Sequence, residues 1–344
     1  MVEEIKVVHV GLGPIGAQIA RYIVNEREGI SYVGAVDINP EIVGRDLGEV
    51  IGIGKSLNIK VSNDLKALFE EARPDIAIYT TVSSVREVFS QMRPAIESGV
   101  DVISTAEKLA FPNFTERELT KEYDELAKNN DVSILGSGIN PGFLMDLWPK
   151  ILSTGCVEVN RVEVKRCMNA SPRRKPFQKK IGVSMKPTEF KEAIESGAIT
   201  GHVGLEESIS LIANGLGWNL GEIRVGAIKA VIAEKEVSSK FYTAKEGEVK
   251  GIRQEAYGVV GGNAKIQLSF TAFLGAKLSY DEVKIEGTPE INVKVSPCWH
   301  GDYGTAAMVV NLIPTVLNAP PGVLTINDIV PISFKSGNVA KFVK

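Results

Sequence analysis

The sequence predicts an α/β protein with an N-terminal doubly wound parallel sheet, a second domain built on an open α+β sheet, and a C-terminal helix that returns to the first domain. Three observations predict this. An apolar strand at 5–10 runs directly into a glycine-rich turn at 11–16, strand and helix patterns then alternate up to residue 135, and longer alternating runs begin at residue 157. The expected domains are 1–140, 141–300 and 301–344.

In the first domain, apolar β-type runs alternate with amphipathic helical segments. This alternation is typical of a parallel sheet with helices on both faces, in which ligands bind at the carboxyl ends of the strands. The predicted strands are 5–10, 31–36, 75–80, 101–105 and 132–135, and the predicted helices are 15–27, 64–71, 84–98 and 115–129. Functional side chains are therefore expected directly after strands.

The second domain has longer alternating runs, which indicate antiparallel strands with interposed helices. The predicted strands are 157–168, 222–234, 247–261, 264–274 and 290–295, and the helices lie near 188–196 and 203–216. By analogy with other open sheets, we expect this one to form the contact of a homodimer. A helix of small and apolar residues at 305–316 is predicted to return to the first domain.

The glycine-rich turn has the spacing of a dinucleotide-binding (Rossmann) motif. Gly11 is expected to form the tight turn, Gly13 to leave room for a pyrophosphate, and Gly16 to let helix and strand pack closely. Pro14 suits the first helical turn, where an amide would lack an intrahelical partner, and Ile15 completes the motif. The free amides of that turn would face the phosphates.

An acidic residue follows the second strand, about twenty residues beyond the last glycine. Asp37 at this position would accept hydrogen bonds from the ribose hydroxyls of NAD and repel the 2′-phosphate of NADP. Alternatively, a strand-end aspartate caps a turn, here the one before Asn39 and Pro40. Because Arg45 could meet a 2′-phosphate, the sequence predicts NAD and leaves NADP possible.

Polar segments follow the third and fourth strands, where the cofactor should lie. Its expected contacts there are Thr80, Thr81, Val82, Ser83, Thr105 and Ala106. Glu107, which comes next, is the predicted catalytic residue, because a carboxylate beside the nicotinamide could hold and deprotonate a substrate ammonium group. Such a role requires apolar surroundings. The alternative is a helix-start or surface glutamate paired with Lys108.

Substrate-binding residues are expected in and after the segment that joins the domains. Asn140, in a turn with Pro141 and Gly142, could orient the substrate, or the turn could be only a hinge. Arg166 on a long strand could clamp a substrate carboxylate, since an inward arginine needs an anion. The same strand leads to Asn169 and to a basic loop at 173–180 that is expected to be a solvated surface. His202, before a helix, is a further candidate or a turn-forming residue.

Composition excludes several classes of protein. A formal net charge of −3 and a pI of about 5.9 give no electrostatic footprint for nucleic acid. The apolar stretch at 306–326 is interrupted by asparagine and proline, so neither a membrane span nor a leader is expected. The three cysteines and three histidines lack metal-ligand spacing, which predicts no metal and suits a cytoplasmic protein with a small-molecule partner.

Taken together, these motifs resemble the 2,4-diaminopentanoate dehydrogenase family, relatives of dihydrodipicolinate reductase that include native NAD(P)-dependent amine dehydrogenases. The resemblance covers the whole chain and rests most specifically on 11–16, 104–108, 136–142, 176–182, 201–208 and 300–311. It implies that Glu107 holds the reacting amine and that Asn140 and Arg166 lie around the amino-acid end of the substrate. It also implies that Asn311 meets the nicotinamide side of the cofactor.

The resemblance implies oxidative deamination of 2,4-diaminopentanoate to 2-amino-4-oxopentanoate. The paired histidines and the substrate loop of dihydrodipicolinate reductase itself are absent from this sequence, which argues against its cyclic substrate. Two alternatives remain: a related dehydrogenase acting on aspartate or homoserine, and a dinucleotide-binding sensor that has lost turnover.

Overall fold

The computed structural model describes residues 3–330 and 332–344. The chain divides into two compact units. The first unit comprises Met1–Phe143 and His300–Lys344, and the second comprises Leu144–Trp299.

The helices and strands follow one another along three stretches of chain. The first stretch contains β1 (Ile5–Val10), α1 (Pro14–Glu26), β2 (Ile30–Val36), α2 (Leu47–Val50), β3 (Val61–Ser62), α3 (Leu65–Ala72), β4 (Ile76–Tyr79), α4 (Val85–Glu97), β5 (Asp101–Ser104), α5 (Arg117–Asn129) and β6 (Ser133–Gly136). The second unit contains α6 (Leu147–Ser153), β7 (Glu158–Asn169), α7 (Lys175–Lys180), α8 (Pro187–Glu195), α9 (Leu205–Gly215), β8 (Leu220–Val225), β9 (Lys229–Ile232), β10 (Val237–Ser238), β11 (Thr243–Ala244), β12 (Val249–Val260), β13 (Asn263–Phe273), β14 (Tyr280–Thr288) and β15 (Ile291–Val295). The chain then returns to the first unit with α10 (Gly301–Val316) and β16 (Gly322–Leu324).

The first unit confirms the predicted doubly wound sheet. Its strands lie in the order β16-β6-β5-β4-β1-β2-β3, and every pair is parallel. Strands buried on both faces carry continuous apolar runs, as in β4, which is fully buried. Because the strands are parallel, the residues that follow β1, β2, β4, β5 and β6 all meet at one edge of the sheet.

The second unit is built on a mixed sheet in the order β15-β14-β7-β13-β12-β8, with β9 also paired to β12. Here β7 and β13 run parallel, and the other pairs are antiparallel. This arrangement confirms the second α+β open sheet, but the expectation of antiparallel strands was wrong for the pair of β7 and β13.

Two expectations for the second unit need correction, one in full and one in part. The single strand predicted at 222–234 is two strands, β8 and β9, because the chain turns at Gly226, whose amide donates to Glu255 O at 2.8 Å. The basic segment at 173–180 is a solvated surface in part, because Lys175, Lys179 and Lys180 are exposed. It contains α7, and both Arg173 and Gln178 are buried.

None of the helices in the described part of the chain is long and apolar enough to span a bilayer.

Candidate active site

The three glycines of the turn after β1 have different surroundings. Gly11 has φ +90°, and a Cβ there would lie 2.9 Å from Thr80 O, so only glycine fits without strain. A Cβ on Gly16 would lie 2.0 Å from Gly11 O, which places the start of α1 directly against the turn. A Cβ on Gly13, by contrast, would meet no atom of the chain within 4 Å. The space over Gly13 is therefore open.

The amino end of α1 faces the same open space. Gly13 is the N-cap and provides no side-chain cap, Pro14 follows as the first helical residue, and both are exposed, while Ile15 is half-buried. The first turn carries no acidic side chain. Its amides have no partners within the helix, so this end of α1 favours an anion such as a pyrophosphate.

Asp37 lies directly after β2 and is bonded to the glycine-rich turn. Its Oδ2 accepts from Leu12 N at 2.6 Å, and its Oδ1 accepts from Asn39 N at 2.8 Å. The turn-forming contact that the sequence offered as an alternative is thus present. A carboxylate has about four acceptor positions, so further positions remain for ribose hydroxyls. Arg45 is exposed and pairs with Glu49 at 2.7 Å.

The residues after β4 have unequal roles. Thr80 uses its hydroxyl within the chain: Oγ1 donates to Gly11 O and lies 3.2 Å from His9 Nε2. Thr81 donates to Gln91 Oε1 from an exposed position. Val82 is half-buried and Ser83 is exposed.

Glu107 lies three residues beyond Ser104, the last residue of β5. It is the first residue of a short 3-10 helix, Glu107–Ala110. The two residues before it are held by hydrogen bonds: Thr105 N donates to Tyr79 O at 3.0 Å, and Ala106 N donates to Ser104 Oγ at 3.1 Å. Glu107 itself is half-buried. In the strand order, β5 is two positions from β1, so the turn that carries Glu107 starts about 10 Å from the glycine-rich turn.

Close packing fixes the backbone of the turn that carries Glu107. Leu109 and Ala110 are buried. A Cβ on Gly136, the last residue of β6, would lie 2.4 Å from the carbonyl carbon of Leu109, so the short helix lies directly against that strand. The Glu107 side chain therefore starts from a rigid base.

The segment after β6 adds one residue that the sequence reasoning did not single out. Ser137 is 3% exposed, its amide donates to Ser104 O at 2.8 Å, and its Oγ has no hydrogen-bond partner in the part of the chain that the structure describes. Its position directly after a predicted strand was the available signal. Asn140 is half-buried in the following turn, where Ile139 N donates to Thr305 Oγ1 at 3.4 Å.

Arg166 is inward and buried, as expected, but its anion belongs to the chain. Its Nη1 lies 2.9 Å from Asp281 Oδ1 on the neighbouring β14, and its Nη2 donates to Trp299 O at 2.5 Å. Trp299 N in turn donates to Asp281 Oδ2 at 2.9 Å. Burial raises the pKa of Asp281, and Arg166 and the Trp299 amide oppose that shift. Asp281 therefore provides the anion that the sequence had predicted a substrate carboxylate to provide for Arg166.

The other substrate candidates of the second unit also have structural contacts. Asn169 Oδ1 accepts from Ser171 N at 2.9 Å and shapes the end of β7. The His202 ring stacks on Phe270 with centroids 4.3 Å apart. Burial, with smaller contributions from the charges of Lys180 and Arg166, lowers the pKa of His202 to about 3, so its imidazole is neutral near pH 7.

Gln178 was missed as a structural residue. It is fully buried, and its Nε2 shares its two protons among the carbonyls of Ala170, Ser171 and Arg173 at 2.8–3.2 Å, while its Oε1 accepts from Ser239 Oγ at 2.6 Å. One side chain thus closes the loop that follows β7.

Asn311 does not lie beside the glycine-rich turn. Its Oδ1 accepts from Arg27, the residue that follows the last residue of α1. The helix rises about 1.5 Å per residue, so Arg27 starts about 20 Å from the amino end of α1. The expectation that Asn311 meets the nicotinamide is therefore not carried forward.

Neither a metal site nor a disulfide is found within the described residues. No group of three or more His, Cys, Asp or Glu side chains there could hold a metal ion. Cys156, Cys167 and Cys298 are free thiols.

Two family models match the chain. The model of the dihydrodipicolinate reductase N-terminus matches residues 5–110, and the model of the 2,4-diaminopentanoate dehydrogenase C-terminal domain matches residues 143–344. The chain is 32% identical over 340 residues to the 2,4-diaminopentanoate dehydrogenase of Acetoanaerobium sticklandii, covering 95% of this chain and 94% of the relative. It is 24% identical to the amine dehydrogenase of Streptomyces virginiae, covering 93% of this chain and 94% of the relative.

A solved structure has the same fold. The amine dehydrogenase from Mycobacterium smegmatis superposes with a TM-score of 0.83 at 24% identity, covering 96% of this chain and 97% of that chain.

Proposed function

Because the chain belongs to the 2,4-diaminopentanoate dehydrogenase family and is an oxidoreductase that acts on CH–NH2 donors, we propose that it deaminates 2,4-diaminopentanoate oxidatively to 2-amino-4-oxopentanoate. The observation that carries the proposal is the arrangement at the carboxyl edge of the first sheet. Three features lie at this edge, each after the end of a strand. They are the turn with the open space over Gly13, the carboxylate of Asp37 and the carboxylate of Glu107.

The residues present fit a nicotinamide dinucleotide. The amino end of α1 would hold the pyrophosphate over Gly13, and Asp37 would hold the adenosine ribose through its remaining acceptor positions. Bound there, the dinucleotide supplies the hydride acceptor of the reaction. We propose NAD as the preferred form, because the Asp37 charge opposes a 2′-phosphate and Arg45 already pairs with Glu49.

Glu107 is proposed to hold the reacting amine and to take its proton. An alkylammonium with a pKa of about 10.4 costs about 4 to 5 kcal/mol to deprotonate at pH 7, so it needs a positioned acceptor. The packing under Glu107 fixes the backbone from which its side chain extends. The substrate C–H bond then breaks with its electron pair leaving as hydride, and water hydrolyses the resulting imine to a ketone and ammonium.

The proposed reaction balances. One substrate ammonium, one NAD⁺ and one water give one ketone, one ammonium ion, one NADH and one proton. The substrate carbon is oxidised and the dinucleotide is reduced, so no further redox partner is required.

A substrate panel tests the proposal. With NAD⁺ in excess, absorbance at 340 nm should rise with 2,4-diaminopentanoate and much more slowly with 2-aminopentane, which lacks the amino-acid end. Activity with aspartate or homoserine alone would favour the related dehydrogenase. Binding of NADH without any amine-dependent turnover would instead favour the dinucleotide-binding sensor.

Asp37→Ser tests the cofactor preference. Serine removes the charge that opposes the 2′-phosphate, so kcat/KM with NADP⁺ should rise relative to kcat/KM with NAD⁺ by about tenfold or more. Arg45→Met is the control and should leave this ratio unchanged, because Arg45 is paired with Glu49. A wild-type enzyme that already prefers NADP⁺ by a wide margin would remove the assignment.

We also propose a homodimer formed through the second sheet. One face of this sheet packs on the core and the other is proposed as the contact. Along β7, Val162 and Val164 lie on the core face, whereas Arg161, Glu163 and Lys165 lie on the other face and are partly exposed. Light scattering coupled to gel filtration should give twice the chain mass of 37.2 kDa. A mass of one chain at micromolar concentration would contradict this.

A further inference from the structure

Three hydrogen-bonded side chains, two of them buried and one half-buried, lie next to the glycine-rich turn. His9, in β1, is fully buried, and its Nδ1 lies 3.0 Å from the hydroxyl of Tyr32 on the neighbouring β2. Its Nε2 lies 3.2 Å from Thr80 Oγ1, and Thr80 Oγ1 donates to Gly11 O. The four groups form one continuous sequence of contacts.

The chemistry of these groups fixes the direction of each hydrogen bond. A threonine hydroxyl has one proton, and Gly11 O can only accept, so Thr80 must accept from His9. His9 therefore carries its proton on Nε2, and its unprotonated Nδ1 accepts from the Tyr32 hydroxyl. Burial lowers the pKa of His9 to about 3, against an opposing effect of Asp37, which is consistent with a neutral ring.

The series of hydrogen bonds from Tyr32 through His9 and Thr80 ends at one peptide group of the turn. The carbonyl of the peptide between Gly11 and Leu12 accepts from Thr80, and the amide of the same peptide donates to Asp37 Oδ2 at 2.6 Å. In a trans peptide these two groups point in opposite directions. The peptide plane is thus held from both sides, and its amide, together with that of Asn39, fixes the Asp37 carboxylate.

We propose that Tyr32, His9 and Thr80 are positioning residues that orient the Gly11–Leu12 peptide, and through it Asp37, for recognition of the adenosine ribose. The proposal rests on the proposed dinucleotide function. It makes Thr80 a residue that acts through the turn, whereas the sequence alone had suggested direct contact with the cofactor. A polar group that is buried without a partner costs free energy. In this neutral network the polar groups bond to one another, so they hold the turn more rigidly than water would.

The first test observes the histidine directly. In protein labelled with ¹⁵N-histidine, substitution of His202 and of His300 in turn assigns the remaining ring signals to His9. We expect a protonated Nε2 and an unprotonated Nδ1 that do not change between about pH 5.5 and 8. A proton on Nδ1, or a ring that takes up a second proton in this range, would overturn the proposal.

The second test measures cofactor affinity without turnover. Thr80→Val keeps the shape but removes the hydroxyl, so the Kd for NADH by fluorescence titration should rise about tenfold, and the preference for NADH over NADPH should shrink. Thr80→Ser keeps the hydroxyl and should stay within about twofold of wild type. Tyr32→Phe, at the far end, should have an effect between the two.

The outcomes separate the positioning role from its alternatives. Wild-type affinity in Thr80→Val, or an equal loss in Thr80→Ser, would show that the hydroxyl does not act through the turn. If the wild type binds neither NADH nor NADPH, the proposed function fails, and the tautomer measurement still decides whether the hydrogen-bonded chain exists.

Discussion

At the scale of single residues, Glu107 is the side chain whose role is most directly testable. Glu107→Gln is nearly isosteric and cannot take a proton from an ammonium group. Amine oxidation should therefore fall about 10²- to 10⁴-fold, the range that a positioned base contributes. The Kd for NADH should not change, because the rigid turn under the side chain is kept. Steady-state rates at 340 nm and NADH titration provide the two measurements.

Lys108→Met is the control for the surface alternative. If Glu107 served mainly as the partner of Lys108, both substitutions would reduce stability slightly and neither would reduce the rate strongly. A fall of less than tenfold in Glu107→Gln would remove its assignment as the base.

At the scale of elements, the turn between β1 and α1 offers a matched pair of substitutions. Gly16→Ala would place a Cβ 2.0 Å from Gly11 O, so the melting temperature should fall by several degrees. Gly13 has φ −60°, which alanine adopts readily, and its Cβ would enter open space. Gly13→Ala should therefore keep the melting temperature but weaken NADH binding by about tenfold or more, since the pyrophosphate needs that space. Unchanged affinity in Gly13→Ala would place the pyrophosphate elsewhere.

The pair of β7 and β14 leads to a different prediction about Arg166. Arg166→Met leaves Asp281 buried without its cation, which typically costs about 3 to 5 kcal/mol of unfolding free energy. Replacing both residues, as Arg166→Met with Asp281→Leu, should recover part of that loss. Urea unfolding of the single and double variants measures both effects. A stable Arg166→Met variant that loses activity only toward carboxylate-bearing substrates would restore Arg166 as the substrate clamp.

The sequence predicted helices and strands best where the periodicity of apolar residues and the turn-forming residues indicate the same boundaries. β1 lies at the predicted residues, and α1 differs from its prediction by one residue at each end. β14 was missed, because Asp281 interrupts its apolar face and is tolerated there only through Arg166 on the neighbouring strand. The partners of Thr80 and Arg166 were likewise beyond reach, since their contacts join residues that are 69 and 115 positions apart. The local sequence predicts that a residue follows a strand, but it does not predict which distant residue that side chain contacts.

At the scale of the whole molecule, stability should depend on pH through a carboxyl group far from the site. Asp101 begins β5, at the opposite end of that strand from Glu107, and accepts from Ser133 N at 2.6 Å. Burial raises its pKa to about 6, the Ser133 amide opposes the shift, and Asp131 and Asp75 add to it. In the unfolded chain the pKa of an aspartate is about 3.9. The folded state therefore binds this proton more tightly, and the stability that it contributes is present below pH 4 and is lost as pH rises through 6.

Asp101→Asn should remove this pH dependence. The amide keeps an acceptor for Ser133 N and does not ionise, so at pH 8 the variant should be more stable than wild type by about 1 to 2 kcal/mol, or a few degrees in melting temperature. At pH 4, where the wild-type carboxyl is already protonated, the advantage should disappear. Thermal unfolding of the cofactor-free protein at both pH values measures the difference. Asp75→Asn is the control, because Asp75 lies at the same end of the sheet but is exposed. An equal stabilisation in both variants would mean that general repulsion among these carboxylates, and not the burial of Asp101, sets the pH dependence.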